Sequence, residues 1–242
     1  MRLRLEITTA AREVPWASVL APGRGIAYDL LSSTAPELGI RLHDAGWGPY
    51  GMVPIGHSAP VFPGVRRTRG IYAAGGPGVI EFGSPLPEVV EAWARALRER
   101  ELLDWGGVAL RLARVSVVQP PAFAAGFARM RSQTPVVLKG SGRDDDGVRT
   151  TRQAWLLPHE PEYPTYFAQN LRRKAETLGL STDVDLEAIT WVGAKRSFAV
   201  GEGAKPGAPV EVDLRGDPAT LQAIWGWGLG QANPAGFGWV GA

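Results

Sequence analysis

Cysteine is absent from this 242-residue chain. That excludes a disulfide framework and any cysteine-built metal site. Histidine is nearly as scarce. The three residues, His43, His57 and His159, are too far apart for HExxH or a similar metal-ligand spacing. No apolar run approaches the ~20 residues that a membrane-spanning helix needs. The segment Met1 to Ile7 alternates charged and apolar residues, which reads as a strand and not as a secretory signal. Net charge is low as well. At +2, with a sequence pI near 9.1, any nucleic-acid surface must be a local patch. The expectation is a soluble, cytoplasmic protein with no membrane partner, no metal and no cofactor.

Hydrophobic residues make up 45% of the chain, enough for one large core or two smaller ones. The nine tryptophans fall mostly in apolar strands or helix faces, where core packing is the default role. Arg2 to Thr8 alternates at period two, as a half-buried strand does. Gly23 to Leu42 reads as a helix broken at Pro36. Val61-Phe62, Ile71-Tyr72 and Val79 to Ser84 are strand candidates. Pro87 to Glu99 is a helix that starts on proline, and Val108 to Val118 is a long strand. The order is βαββαβ, as in ferredoxin-like domains. Pro120-Pro121 marks a boundary, after which the order recurs. Its parts are a strand at Pro135 to Leu138, a charged hairpin tip at Arg143 to Gly147, and a strand at Arg152 to Leu157. A helix follows at Tyr163 to Leu178, then strands at Ile189 to Val200 and Pro209 to Leu214. The last helix, Pro218 to Trp227, has Asp217 as its N-cap. The fold class is α+β: two tandem ferredoxin-like domains, akin to RNA-recognition motifs, spanning 1–119 and 120–242.

A glycine-rich run closes the chain: Gly228-Leu229-Gly230, five residues, then Gly236-Phe237-Gly238-Trp239-Val240. It is no P-loop, since no Lys-Ser or Lys-Thr follows. Nor is it a dinucleotide fingerprint, since no helix and no acidic partner follow. Two readings stay open. Gly228, Gly230, Gly236 and Gly238 either form a turn before a last strand or present backbone N–H groups to a phosphate.

This run resembles the C-terminal glycine-rich loop of the repeat-associated RNA-binding superfamily, and within it the CRISPR-associated protein six family of endoribonucleases. Three further segments carry the resemblance: His43-Asp44-Ala45-Gly46, Pro135-Val136-Val137, and Asn170-Leu171-Arg172-Arg173-Lys174. The resemblance implies two ferredoxin-like domains and cleavage of CRISPR repeat RNA. It also implies a catalytic histidine after the first helix, at His43, and a helper at Tyr28. From its position alone, His43 reads first as a C-capping residue, and the resemblance reverses that; a helix C-terminus favours a charged imidazole. The reaction would be attack of a ribose 2′-hydroxyl on the adjacent phosphorus, leaving a 2′,3′-cyclic phosphate and a 5′-hydroxyl. The nucleophile belongs to the substrate, so the protein supplies a base, an acid and cations for the phosphorane charge. Relatives that use a lysine shortly after the histidine have no counterpart here, because no lysine precedes Lys139. Arginine serves charge but not proton transfer. His57 is read as a loop histidine, with a second proton-transfer group as the alternative, and His159 as an exposed structural one.

Arg129, Arg131, Lys139, Arg172, Arg173, Lys174, Lys195 and Arg196 are the basic candidates for an RNA backbone track. The partners expected are repeat RNA, other subunits of a CRISPR effector complex, and a second copy of the chain in a homodimer. The alternative function is a non-catalytic RNA-binding subunit of such a complex, in which His43 has no chemical role.

Overall fold

The structure, a computed structural model, describes residues 1–66, 68–143, 149–200 and 203–241. The expected acidic hairpin tip, Asp144 to Asp146, lies outside these. The first half contains strands β1 (Arg2–Thr9) and β2 (Glu13–Val14), then helices α1 (Ala21–Thr34) and α2 (Pro36–Asp44). Strands β3 (Gly56–His57), β4 (Tyr72–Ala73) and β5 (Gly76–Gly83) follow. Helix α3 (Pro87–Leu97) and strands β6 (Leu102–Asp104) and β7 (Ala109–Val118) complete it. The second half contains β8 (Phe127–Arg131), β9 (Leu138–Arg143) and β10 (Arg149–Leu156), then α4 (Tyr163–Thr177). It continues with β11 (Val184–Val192), β12 (Arg196–Val200), β13 (Gly203–Gly207), β14 (Val210–Gly216) and α5 (Pro218–Trp227).

The first sheet runs β3-β5-β1-β7-β6, with all neighbours antiparallel. Without the short edge strand β6, this is the 4-1-3-2 order of a ferredoxin-like domain. Leu3, Leu5 and Ile7 of β1 point one way and are buried with Ile80 and Phe82 against α1 and α3. The second sheet runs β11-β14-β8. Its fourth position is a single bridge, Ser132 to Val240, so the glycine run does enter the sheet at its end. This completes a second ferredoxin-like unit. Its core joins Met130, Val212 and Leu214 to Phe167, Leu171, Leu221 and Trp225.

Most expected elements form, with three corrections. Val61-Phe62 is no strand, and Val61 makes only an isolated bridge to Val79. The first strand of the second unit is β8, not Pro135–Leu138. Val136 and Val137 make isolated bridges to Ala208 and Gln231 instead. The stretch read as one strand from Ile189 to Val200 is two strands: β11 ends at Val192, and β12, which starts at Arg196, pairs with β13 instead of β14. Proline and cap chemistry account for the helix ends. Pro36 starts α2 one residue after α1 stops. Asp217 caps α5, its Oδ1 accepting from Ala219 N at 2.8 Å.

Arg2 joins the halves. It is fully buried and donates to Trp225 O and, at 2.7 Å, to Val240 O. Its guanidinium lies 3.9 Å from the ring centres of both Trp225 and Trp239. Glu81, 3.5 Å away, supplies the counter-charge. Burial lowers the Arg2 pKa to about 9, against the pull of Glu81, so it stays charged at neutral pH.

Candidate active site and nucleic-acid interface

His43 sits in the last turn of α2, with 59% of its side chain exposed. Its Nδ1 is 2.9 Å from Asp44 Oδ1. A carboxylate only accepts, so Nδ1 carries a proton, and in a neutral imidazole the accepting atom is then Nε2. The Tyr28 ring meets the imidazole edge-on, with centroids 5.4 Å apart. The Tyr28 hydroxyl itself is covered. Burial raises its pKa and Arg24 works against that, so it remains a protonated phenol. Tyr28 therefore backs the imidazole and offers no exposed proton-transfer atom in this conformation. Arg24 lies 5.8 Å from its ring centre. The loop after His43 carries Trp47, stacked under Arg41, and Tyr50, which donates to Glu176 Oε2 on α4 at 2.5 Å. Arg173 lies over the Tyr50 ring. Arg173, unlike the other expected basic residues, is thus tied to the loop that follows His43.

His57 is no loop histidine. It lies on β3, fully buried, wedged between Gly23 of α1 and Gly236 of the glycine run. A β-carbon at Gly236 would lie 2.6 Å from His57 Cε1. Phe82 and Trp105 cover the ring. Burial lowers its pKa to about 4, against the Ser58 and Pro234 carbonyls. The neutral imidazole is therefore part of the native packing, while the unfolded chain takes up its proton near pH 6.5. This contribution is complete above about pH 6.5 and is lost as pH falls toward 4. The loss amounts to roughly 3 kcal/mol. A His57→Gln protein is expected to show a shallower fall in unfolding free energy between pH 6.5 and 4.5, measured by urea denaturation. An unchanged slope would mean that His57 does not control this window.

The glycine run departs most from expectation. Gly228, Gly230, Gly236 and Gly238 are all buried, and all have positive φ. Their neighbours explain why. A β-carbon at Gly238 would fall on the Leu229 carbonyl oxygen, and one at Gly230 would crowd Val136 and Val137. Three of the four glycine N–H groups have backbone partners, Gly228 on Ile224 O, Gly236 on Asn233 O and Gly238 on Pro135 O, and Leu229 and Gln231 donate to Gly238 O and Val137 O. Bonded in this way, those N–H groups are not presented to a phosphate in this structure. The glycines let the chain fold on itself and against His57.

Lys174 is corrected with them. It is fully buried and cannot touch RNA. Its ammonium donates at 2.6 Å to Gly228 O and at 2.6 Å to Asn233 Oδ1. It also lies over the Trp227 ring. The Asn233 amide returns bonds to Leu229 O and Phe237 O. The Asn-Leu-x-x-Lys helix thus holds the glycine run in shape from below. Burial lowers the Lys174 pKa well below the ordinary lysine range.

The remaining basic residues are exposed. Arg129 pairs with Asp213 and Arg172 with Asp185. Arg131 stacks on Trp191, 4.1 Å to its centroid. Arg129, Arg131, Trp191 and Arg196 line one open cavity of about 500 Å³. Arg196 also borders a second, of about 550 Å³, with Trp16 and Phe198. Lys195 is exposed in the turn before β12 and His159 in the turn before α4. Lys139 lies beside Trp155 and Lys205. Sequence reading missed Lys205, Trp155, Trp191 and Trp16, because their partners are distant along the chain. No helix among the described residues is long and apolar enough to cross a membrane.

Comparison with known proteins agrees with this architecture. The family model for CRISPR associated protein Cas6, C-terminal, matches residues 118–241. No curated protein matches the chain. A solved structure of an RAMP protein binding different RNA substrates superposes with a TM-score of 0.81 at 13% identity, covering 99% of this chain and 98% of its own. A CRISPR associated protein Cas6 gives 0.76 at 21% identity, covering 100% and 98%. The product of a Cas6-related gene from Pyrococcus furiosus gives 0.76 at 13% identity, covering 100% and 97%. At such identities these structures bear on the fold, two ferredoxin-like domains in tandem. The family model spans more than half of the residues, and the chain belongs to the CRISPR-associated protein Cas6 family.

Proposed function

We propose that the protein is a metal-independent endoribonuclease that cuts CRISPR repeat RNA in the cytoplasm. Residues 1–119 form the domain that carries the catalytic histidine, and residues 120–242 form the second domain with the glycine run. The observation that carries this reading is His43, exposed, with Nδ1 engaged by Asp44 and Nε2 the accepting atom of the neutral ring. Neutral His43 takes the proton of the 2′-hydroxyl at Nε2. The oxygen attacks the adjacent phosphorus and the 5′-oxygen of the next nucleotide leaves, taking a proton from water. The products are a 2′,3′-cyclic phosphate and a 5′-hydroxyl. Asp44 holds the imidazole in the tautomer that can accept. Arg24 and Arg41, on the helices that carry Tyr28 and His43, are the cations proposed to answer the phosphorane charge. Arg129, Arg131, Lys139, Arg173, Lys195 and Arg196 are proposed to contact the RNA, and the glycine run to hold the shape of the surface they share.

The second reading is a non-catalytic RNA-binding subunit. It draws on the covered Tyr28 hydroxyl and the lack of a lysine near His43, which leave one exposed proton-transfer group at the site. One experiment separates the two. Repeat RNA incubated with the protein in excess EDTA is expected to be cut, with a cyclic phosphate on the upstream product. The same RNA carrying 2′-deoxyribose at the cut site is expected to bind and stay whole. Cleavage of the deoxy substrate, or none in EDTA, rules out the mechanism. Binding without cleavage of either RNA favours the second reading.

A further inference from the structure

Several exposed arginines on the second half face acids of its sheet. Arg129 pairs with Asp213, Arg172 with Asp185 and Arg215 with Glu187, and Arg131 lies 3.9 Å from Glu211. Each of these guanidiniums already has a carboxylate beside it. Lys139 and Lys205 differ. Neither has a carboxylate partner among the described residues. Lys139 follows the first residue of β9, and Lys205 lies on β13 opposite Phe198. The fold brings both to one indole. Lys139 Nζ is 5.1 Å and Lys205 Nζ 4.8 Å from the centre of the Trp155 ring on β10. Two like charges share one aromatic support and meet no acid among the described residues. This arrangement is unfavourable alone and becomes favourable with an anion beside it.

The surroundings fit such a ligand. Lys139 N–H donates to Gln231 Oε1 of the glycine run at 3.1 Å, which fixes the lysine's backbone to that run. Beside Gln231 is Ala232, the one non-glycine residue among those described with positive φ, at 58°. Ala232, Trp155 and Phe198 pack on the small core of Val137, Ala235 and Phe237. Strained backbone of this kind persists where neighbours hold it, often at ligand sites. Lys205 also has a lowered pKa, through burial first and then the charge of Lys139.

We propose that Lys139 and Lys205, anchored on Trp155, form a built site for one phosphodiester of the bound RNA, alongside the outer edge of the glycine run. This rests on the RNA-binding reading above. It moves the phosphate contact from the glycine run, where most N–H groups are bonded, to two side chains with no carboxylate partner among the described residues. The glycine run then acts as the scaffold that sets the spacing of the two ammoniums.

The test is the salt dependence of binding to repeat RNA, measured by fluorescence anisotropy from 50 to 400 mM KCl. Each lost phosphate contact removes about 0.7 from the log–log slope for single-stranded RNA. The Lys139→Ala/Lys205→Ala protein is expected to lose about 0.7, one phosphate contact, which corresponds to roughly 5-fold weaker binding at 0.1 M salt if affinities converge at 1 M. Lys139→Arg/Lys205→Arg is expected to recover most of that slope. Trp155→Leu keeps both charges but frees them, so affinity should fall while the slope holds. Thermal melts establish that each variant is folded; a misfolded alanine variant passes the question to the arginine and leucine variants. If wild-type protein binds and the alanine variant keeps both slope and affinity, the site is wrong and the RNA reading stands. Failure of the wild type to bind overturns both.

Discussion

Cleavage of repeat RNA by His43→Ala is expected to fall by roughly 10²-fold or more, with RNA affinity within a few-fold of wild type. General acid–base groups contribute on this scale. His43 is exposed, so its loss leaves no cavity and no buried polar group to destabilise the fold. No other histidine can take its place. His57 is sealed between Gly23 and Gly236, and His159 lies in the turn before α4. Asp44→Asn should act more mildly, because an amide still touches Nδ1 but no longer favours the proton there. Single-turnover rates with saturating enzyme are the measurement. A His43→Ala rate within a few-fold of wild type would move the protein to the binding-only reading.

The second large effect is on stability. Gly238→Val is expected to destabilise the protein by about 4 kcal/mol or more, or to prevent folding. Positive φ at a β-branched residue costs on the order of 1–3 kcal/mol. The new side chain would also drive into the Leu229 carbonyl, which accepts from the Asn233 amide, and overpacking adds about 1–3 kcal/mol. At about 2–4 °C per kcal/mol for a chain of this size, the thermal midpoint should fall by on the order of 10 °C. A variant that melts like wild type but no longer binds RNA would instead restore direct approach of RNA to the glycine N–H groups.

What could be read in the sequence was local. The period-two strand at Arg2, the break at Pro36 and the Asp217 cap each depend on a few neighbouring residues, and each is in the structure. The βαββαβ order followed from their sum. The role of the glycines did not, because glycine that admits a ligand and glycine that admits the protein's own carbonyl look the same along the chain. Lys174 misled for a related reason. A lysine on an amphipathic helix reads as solvated, and what buries it is an asparagine and a carbonyl more than fifty residues away. Lys205 was invisible because its meaning is the company of Lys139 and Trp155, which only the packing of two hairpins brings together.

Arg2 has a temporal consequence. During synthesis the first sheet is complete once β7 has been made, but the carbonyls and tryptophans that receive the Arg2 guanidinium come more than a hundred residues later. Until then β1 holds a cation with Glu81 as its neighbour and no aromatic cover. The first half must wait, incompletely closed, for the last strand to arrive. Its final cohesion is therefore acquired with that of the second half, and equilibrium unfolding should proceed as one cooperative event despite the two cores.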